Sequence, residues 1–283
     1  MLDFVSRDRS HGSTELALLA LEKIAALSTE QSNESPTRLR AVLLALISEL
    51  QSSRPSMAAL QNILQQLYDR IAEVPENEQQ HFGSLVSGIC EQAIRQVHGQ
   101  QKAIVTSMLE RIAPDDVIMT HSLSSTVRQL FQRLAETGCQ NRVIVTESRP
   151  GNEGTVLAEL VADLGISVTF ITDAEVDLFV PRVDKVILGA DTVLADGSVI
   201  NKVGTVSMAL SASYHGVPVY VCAESFKQKA DNEFRLEEMA AEELDFVHPG
   251  VEVRNIYFER LPAELITCRV DENTALSTTE MVG

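Results

Sequence analysis

The sequence lacks tryptophan, is poor in other aromatic residues, and contains only four cysteines among 283 residues. No stretch reaches the roughly 20 apolar residues of a membrane span, and the N-terminal segment carries no apolar signal region. The cysteines at positions 90, 139, 222 and 268 form no CxxC pair and no zinc-ligand spacing with histidine. We therefore expect a cytoplasmic protein with reduced, mostly buried thiols, no bound metal ion and no membrane partner.

Positive charge is also scarce. Lysine and arginine number 23 against 40 aspartates and glutamates, so the formal net charge is −17. A surface of this kind repels nucleic acid and anionic membranes, so we do not expect a nucleic-acid partner. An acidic protein that binds an anionic ligand must place positively charged side chains together at the binding site. The basic residues of the motifs below are therefore candidates for such a site.

The first part of the chain shows helical periodicity from residue 13 to about residue 112. One example of the spacing is Leu16, Ala20, Ile24 and Leu27. Breaks fall at Ser35-Pro36, Arg54-Pro55 and Pro75, and proline is favourable at a first helical position. The pattern predicts a helical domain over residues 1–113.

The pattern changes after residue 113. Short runs of β-branched residues then alternate with helical stretches, and the runs cover 117–119, 142–145, 166–171, 185–188, 217–221 and 253–258. Helices fit residues 125–137, 155–164 and 205–215. Alternation of this size predicts an α/β domain over residues 114–283, with a mostly parallel sheet covered by helices.

Ligands bind such sheets at the carboxyl ends of the strands, so the residues that follow each run are the candidate site. His121 and Ser122 follow the first run, and Arg149 lies in the glycine-rich loop after the second. Asp191 comes after the fourth run, and an Ala195–Ser198 turn leads from there to the pair Asn201-Lys202. Hydroxyls beside a helix start, an arginine and a lysine suit an anion, and an aspartate directly after an apolar strand is expected to act on a substrate.

Each of these residues also has a simpler interpretation. Ser124 or Ser125 fits an ordinary helix N-cap, and His121 fits a structural hydrogen-bonding role at a strand end. Arg149 could pair with a surface glutamate, and Asp191 could cap the next turn. No GxxxxGK[ST] or GxGxxG motif occurs in the chain, and we predict no bound cofactor.

Taken together, these segments resemble one superfamily. It contains the alpha, beta and delta subunits of translation initiation factor 2B, ribose-1,5-bisphosphate isomerase and methylthioribose-1-phosphate isomerase. The most specific match is the segment VILGADTVLADGSVINKVGT at 186–205, which is similar to the family pattern GAD…dG…NK.GT. The loop ESRPGNEG at 147–154 resembles the family's E.RP…G loop, and SRPS at 53–56 resembles its RPT segment.

The resemblance implies an N-terminal helical domain, a C-terminal Rossmann-like domain and a homodimer. It also implies that Arg54 and Arg149 hold the ligand's phosphates. By the same resemblance, Asn201 and Lys202 hold the sugar or a phosphate, and Asp191 faces the sugar hydroxyls. We expect the side chains of Arg149 and Lys202 to be solvent-accessible in the free protein.

One position departs from the isomerase pattern. In the isomerases, a cysteine in a THC segment works with the aspartate to move a proton between C1 and C2 of the sugar. The matching segment here is Thr120-His121-Ser122, so the cysteine position holds a serine. A thiol with a pKa near 8.5 exchanges protons at neutral pH, whereas an unassisted hydroxyl does not.

Two functions follow from this departure. The first is a regulatory protein that resembles an initiation factor 2B subunit and binds a sugar phosphate or nucleotide without turnover. The alternative is an aldose–ketose isomerase for a phosphorylated pentose such as ribose 1,5-bisphosphate. In that case Asp191 is the main proton-handling group, and Ser122 or His121 assists. The Ser122 difference favours the first function and leaves open whether the chain is an enzyme.

Overall fold

The computed structural model describes residues 11–31, 34–54, 56–75, 81–138, 140–246 and 248–274. Packing divides the chain into two compact units, Met1–Gln100 and Gln101–Gly283. The predicted boundary after residue 113 stays a prediction.

The first unit is helical, as the apolar periodicity predicted. Its helices are α1 (Ser13–Glu30), α2 (Pro36–Ser53), α3 (Ala58–Ala72) and the first part of α4 (Phe82–Leu109). The Ser35 side chain accepts a hydrogen bond from the backbone N–H of Arg38, and Pro36 is the first residue of α2. Leu16, Leu43 and Leu64 are fully buried on the facing sides of α1, α2 and α3.

The second unit is built on a six-stranded, fully parallel sheet, so the predicted α/β class is confirmed. In sequence order its strands are β1 (Val117–Thr120), β2 (Arg142–Thr146), β3 (Ser167–Ile171), β4 (Lys185–Leu188), β7 (Val219–Cys222) and β9 (Cys268–Val270). They lie side by side in the order β3-β2-β1-β4-β7-β9. Counted along the chain this is 3-2-1-4-5-6, the order of a doubly wound Rossmann-like sheet.

Helices connect the strands. They are α5 (Ser125–Thr137), α6 (Glu153–Asp163), the short α7 (Val176–Phe179) and α8 (Thr205–His215). A second, three-stranded antiparallel sheet contains β5 (Thr192–Val193), β6 (Val199–Lys202) and β8 (Phe258–Leu261). The described part of this unit also contains five short 3-10 turns, at Asp173–Glu175, Val180–Arg182, Ser225–Lys227, Ala241–Leu244 and Ala263–Leu265.

Two apolar cores cover the two faces of the parallel sheet. Along β1, Val117 and Met119 face one core, and Ile118 faces the other. Ile187 of β4 also faces the second core, whereas Val186 and Leu188 face the first. This alternation follows from the two-residue period of a strand, and burial on both faces explains why the runs read as continuously apolar.

The predicted strand over 253–258 is largely wrong. Only Phe258 of this run belongs to a strand, and Ile256 makes an isolated bridge with Glu238. The predicted turn at 195–198 is confirmed, because it joins the antiparallel strands β5 and β6. Cys90, Cys222 and Cys268 are free thiols, whereas Cys139 lies outside the described residues. Among the helices in the described ranges, none has the length and apolarity needed to cross a bilayer.

Candidate functional site

The candidate site lies in the second unit, at the carboxyl edge of the parallel sheet. The strand order reverses between β1 and β4, and ligands of doubly wound sheets bind at this kind of switch point. Ser122 follows β1, and Asp191 follows β4, which pairs with β1 in parallel. The two predicted residues therefore lie at the same edge of the sheet. A methyl group added at Gly189 would lie 2.5 Å from Ser124 Cβ, so the β1 loop packs closely on the β4 loop.

His121 connects three parts of this edge. Its Nδ1 lies 2.6 Å from Thr146 Oγ1 at the end of β2, and its Nε2 lies 2.7 Å from the carbonyl oxygen of Val203. Since a carbonyl only accepts, we assign the ring proton to Nε2, and the Thr146 hydroxyl then donates to Nδ1. Burial lowers the pKa of His121 more than the nearby Asp173 carboxylate raises it. His121 is thus a neutral, buried side chain that connects the end of β2 with the residue after β6 through hydrogen bonds.

Two glycines make this arrangement sterically possible. Gly204 has a φ of +102°, and a Cβ there would lie 2.7 Å from Cε1 of the His121 ring. A Cβ on Gly154 would lie 1.8 Å from the carbonyl oxygen of Thr146. Neither position accepts a larger residue without movement of the site.

Two serines of the site have left-handed backbone conformations. Ser122 has a φ of 67° and Ser148 a φ of 62°, which is uncommon for residues other than glycine. The Ser122 N–H donates to Ser148 Oγ at 2.7 Å. Asp173, after β3, accepts from the N–H of Ser148 at 2.9 Å and from that of Arg149 at 2.7 Å. The Asp173 carboxylate therefore fixes the loop that presents the exposed Arg149.

Lys202 is almost fully buried, so the expectation that it is solvent-accessible is wrong. Its Nζ lies 2.8 Å from Glu153 Oε1 and 3.7 Å from the centroid of the Tyr257 ring. The Tyr257 hydroxyl donates to Glu243 Oε2 at 2.7 Å. Burial lowers the pKa of Lys202 and raises that of Glu153, and each partner's charge opposes the shift of the other.

The remaining predicted residues are Asp191, Asn201 and Arg54, and they differ in burial and in position. Asp191 is half-buried, and its charge acts on the pKa values of both Glu153 and Lys202, which brings these three groups into one neighbourhood. Asn201 is buried and donates to Thr205 Oγ1 at 2.9 Å, at the start of α8. Arg54 is buried in the first unit, directly after α2. Its role as a phosphate contact stays a prediction.

Four residues of the site, Glu153, Ser148, Asp173 and Tyr257, are not indicated by the sequence patterns. Asp173 follows a predicted strand and could have been found by extending the strand-end rule to β3. Glu153 lies in the loop 147–154 that resembles the family's E.RP…G loop, but its partner Lys202 is 49 positions away in the sequence. No group of histidine, cysteine, aspartate and glutamate side chains suited to a metal ion occurs within the described ranges.

The comparisons with known proteins agree with this fold. A sequence model of the Initiation factor 2 subunit family matches residues 9–277, and the chain belongs to this family. A translation initiation factor eIF-2B subunit 2-like protein of Pyrococcus furiosus is 33% identical over 268 residues, which cover 94% of this chain and 91% of the relative.

Similarity extends to an enzyme and to a solved structure. The ribose 1,5-bisphosphate isomerase of Archaeoglobus fulgidus is 30% identical over 275 residues, which cover 94% of this chain and 85% of the relative. The crystal structure of translation initiation factor eIF-2B from Pyrococcus horikoshii OT3 superposes with a TM-score of 0.82 and 28% identity. It covers 96% of this chain and 93% of that chain.

Proposed function

We propose that this chain is a regulatory protein that binds a sugar phosphate or a nucleotide at the carboxyl edge of its parallel sheet. The observation that carries the proposal is the clustering of Ser122, Asp191 and Lys202 around the β1–β4 switch point, where doubly wound sheets bind ligands. In a chain with a net charge of −17, a lysine held in this position favours an anionic ligand.

The chemistry of the edge suits a phosphorylated polyol. Asp191 is half-buried and can accept hydrogen bonds from sugar hydroxyls. Arg149 is exposed, and its guanidinium can reach a phosphate through paired N–H donors. The Asp173 carboxylate holds the backbone of that loop, so the arginine projects from a fixed base.

Binding without turnover is supported by the absence of a thiol at position 122. A serine hydroxyl needs a neighbouring base to exchange protons near neutral pH. The adjacent His121 has both ring nitrogens hydrogen-bonded to Thr146 and Val203, and burial lowers its pKa. This histidine therefore serves the architecture of the edge and not the activation of Ser122.

The second candidate function is aldose–ketose isomerisation of a phosphorylated pentose. It is favoured by the 30% identity to a ribose 1,5-bisphosphate isomerase over 94% of this chain. Ser122 and Asp191 lie at the ends of adjacent parallel strands, so one substrate could contact both. In this alternative, Asp191 moves the proton between C1 and C2 of the sugar.

Calorimetry and a coupled isomerase assay on the wild-type protein separate the two functions. The regulatory function predicts that ribose 1,5-bisphosphate or a nucleoside monophosphate binds, and that no ribulose 1,5-bisphosphate is formed. Turnover at an ordinary enzyme rate, on the order of 1–10³ s⁻¹, would replace the first function by the second. If neither compound binds, both functions fail.

We also propose that the chain forms a homodimer through apolar parts of the second unit, and that it works in the cytoplasm. Large apolar side chains are exposed on consecutive helices there: Leu178 on α7 is 70% exposed, and Leu210 and Tyr214 on α8 are 54% and 85% exposed. Asp177 contacts both Ser211 and His215, so the two helices lie side by side. A specific interface needs to bury more than roughly 1,000 Å².

A further inference from the structure

The buried ion pair between Glu153 and Lys202 sets a carboxylate against the lysine of the proposed anion site, so the two charges neutralise each other. The side chains are 14% and 2% exposed, and Glu153 Oε1 lies 2.8 Å from Lys202 Nζ. Breaking a buried pair of this kind leaves an uncompensated charge and is costly. Glu153 therefore controls whether the charge of Lys202 is available to an anionic ligand.

The Glu153 carboxylate is held in this position by its own loop. A Cβ on Gly151 would lie within 2.9–3.0 Å of its carboxylate atoms, so the side chain folds back over that glycine. Its second oxygen, Oε2, is buried and has no hydrogen-bond partner among the described residues. A buried acceptor without a partner is destabilising, so the carboxylate is under-satisfied on one side.

The surroundings of Lys202 contain more negative than positive charge. The carboxylates of Glu153, Asp191 and Glu243 all act on its ammonium group. An incoming phosphate brings further negative charge to a place where Glu153 already holds the cation. The phosphate and Glu153 cannot both be fully compensated by one ammonium group.

We propose that Glu153 is a specificity-determining residue that competes with the anionic group of the ligand for Lys202. This inference rests on the proposed function. Glu153 makes binding at Lys202 selective, since simple anions bind weakly and a ligand must gain further contacts, such as those of Asp191 with hydroxyl groups, to displace the carboxylate. Replacing the carboxylate with an uncharged amide of the same shape removes the competitor.

The test compares Glu153→Gln with the wild type and with a matched control. The control is Asp116→Asn, because Asp116 forms another buried ion pair of this unit, 2.6 Å from Lys185. That pair lies at the amino ends of β1 and β4, at the opposite edge of the sheet. Both variants lose the carboxylate of a buried pair, but only one loses it at the proposed site.

Binding of inorganic phosphate and of ribose 1,5-bisphosphate is measured by calorimetry, and the melting temperature of each variant is recorded. Both variants should melt below the wild type. Glu153→Gln should bind phosphate about tenfold more tightly than the wild type, the lower end of what a charge-assisted hydrogen bond contributes. Asp116→Asn should bind it with wild-type affinity.

The outcomes separate the two proposals. If the wild type binds ribose 1,5-bisphosphate and Glu153→Gln binds neither compound more tightly, the role of Glu153 is wrong and the proposed function stands. If no variant binds any phosphorylated compound, the proposed function itself is rejected. Should Glu153→Gln not fold, Glu153→Asp keeps a charge but reaches Lys202 less well, and it should show a smaller gain in phosphate affinity.

Discussion

Gly204→Ala is the substitution whose effect can be worked out most fully from the structure. The glycine has a φ of +102°, and an added Cβ would lie 2.7 Å from Cε1 and 2.9 Å from Nε2 of His121. The ring is buried and is held by hydrogen bonds of 2.6 Å and 2.7 Å, so it cannot move aside without breaking them. The left-handed backbone costs about 1–2 kcal/mol for a residue with a Cβ, and each lost hydrogen bond about 1 kcal/mol.

We therefore expect Gly204→Ala to lower the free energy of unfolding by about 3 kcal/mol. The matched control is Gly138→Ala at the end of α5, where φ is +70° and, apart from the adjacent stretch of chain, no atom of the described residues lies within 4 Å of an added Cβ. It should lose only the backbone contribution, about 1 kcal/mol. Because the protein lacks tryptophan, urea unfolding is followed by far-UV circular dichroism. Equal losses in the two variants would refute the role assigned to the His121 contact.

Three further predictions concern other parts of the account. If the site retains the rest of an isomerase, Ser122→Cys should create isomerase activity or raise it by about 10²–10⁴-fold. Adding Asp191→Asn to this variant should abolish the gain. The coupled assay with ribose 1,5-bisphosphate measures the activity of both variants. Burial keeps the pKa of His121 below its ordinary value of 6.5, so the stability it contributes is present above pH 6.5 and is lost as the pH falls towards the folded-state pKa. Between pH 7.5 and 5.5 the wild type should lose up to about 1.4 kcal/mol more than His121→Asn in urea unfolding, and parallel pH profiles would contradict this. Light scattering should report a wild-type dimer at micromolar concentration and a weaker dimer for Leu210→Glu, whereas a wild-type monomer would contradict the assembly.

Most of the strands that could be predicted from the sequence are buried on both faces, and the largely exposed edge strand Ser167–Ile171 could be predicted from its β-branched residues. Residues 186–188 form a continuous apolar run after Lys185, and Lys185–Leu188 is a central strand with the predicted bounds. The edge strand Cys268–Val270 and the short strands β5 and β8 were missed, because their residues are only partly apolar or too few to show a period. The run at 253–258 was misread, because β-branched residues there lie in an irregular segment.

The candidate site was predictable to the extent that it follows from topology. Parallel strands place their carboxyl ends at one edge, so Ser122 and Asp191 could be assigned to a common place from the strand pattern alone. The pairing of Glu153 with Lys202 could not be predicted, because it depends on the distance between two loops that are far apart in the sequence. The burial of Lys202 beneath the Tyr257 ring has the same origin.

The most direct test of the central claim is a calorimetric titration with ribose 1,5-bisphosphate and with adenosine monophosphate. It compares the wild type, Arg149→Ala and Arg142→Ala. Arg142 and Arg149 are both exposed, but Arg142 lies at the amino end of β2 and Arg149 follows its carboxyl end.

The account predicts that the wild type and Arg142→Ala bind one of these compounds with the same affinity. It predicts that Arg149→Ala binds it more weakly by about 1.5–3 kcal/mol, the range for hydrogen bonds to charged groups. Equal affinity in all three proteins would show that the ligand does not bind at the carboxyl edge, and the absence of binding to the wild type would contradict the proposed function altogether.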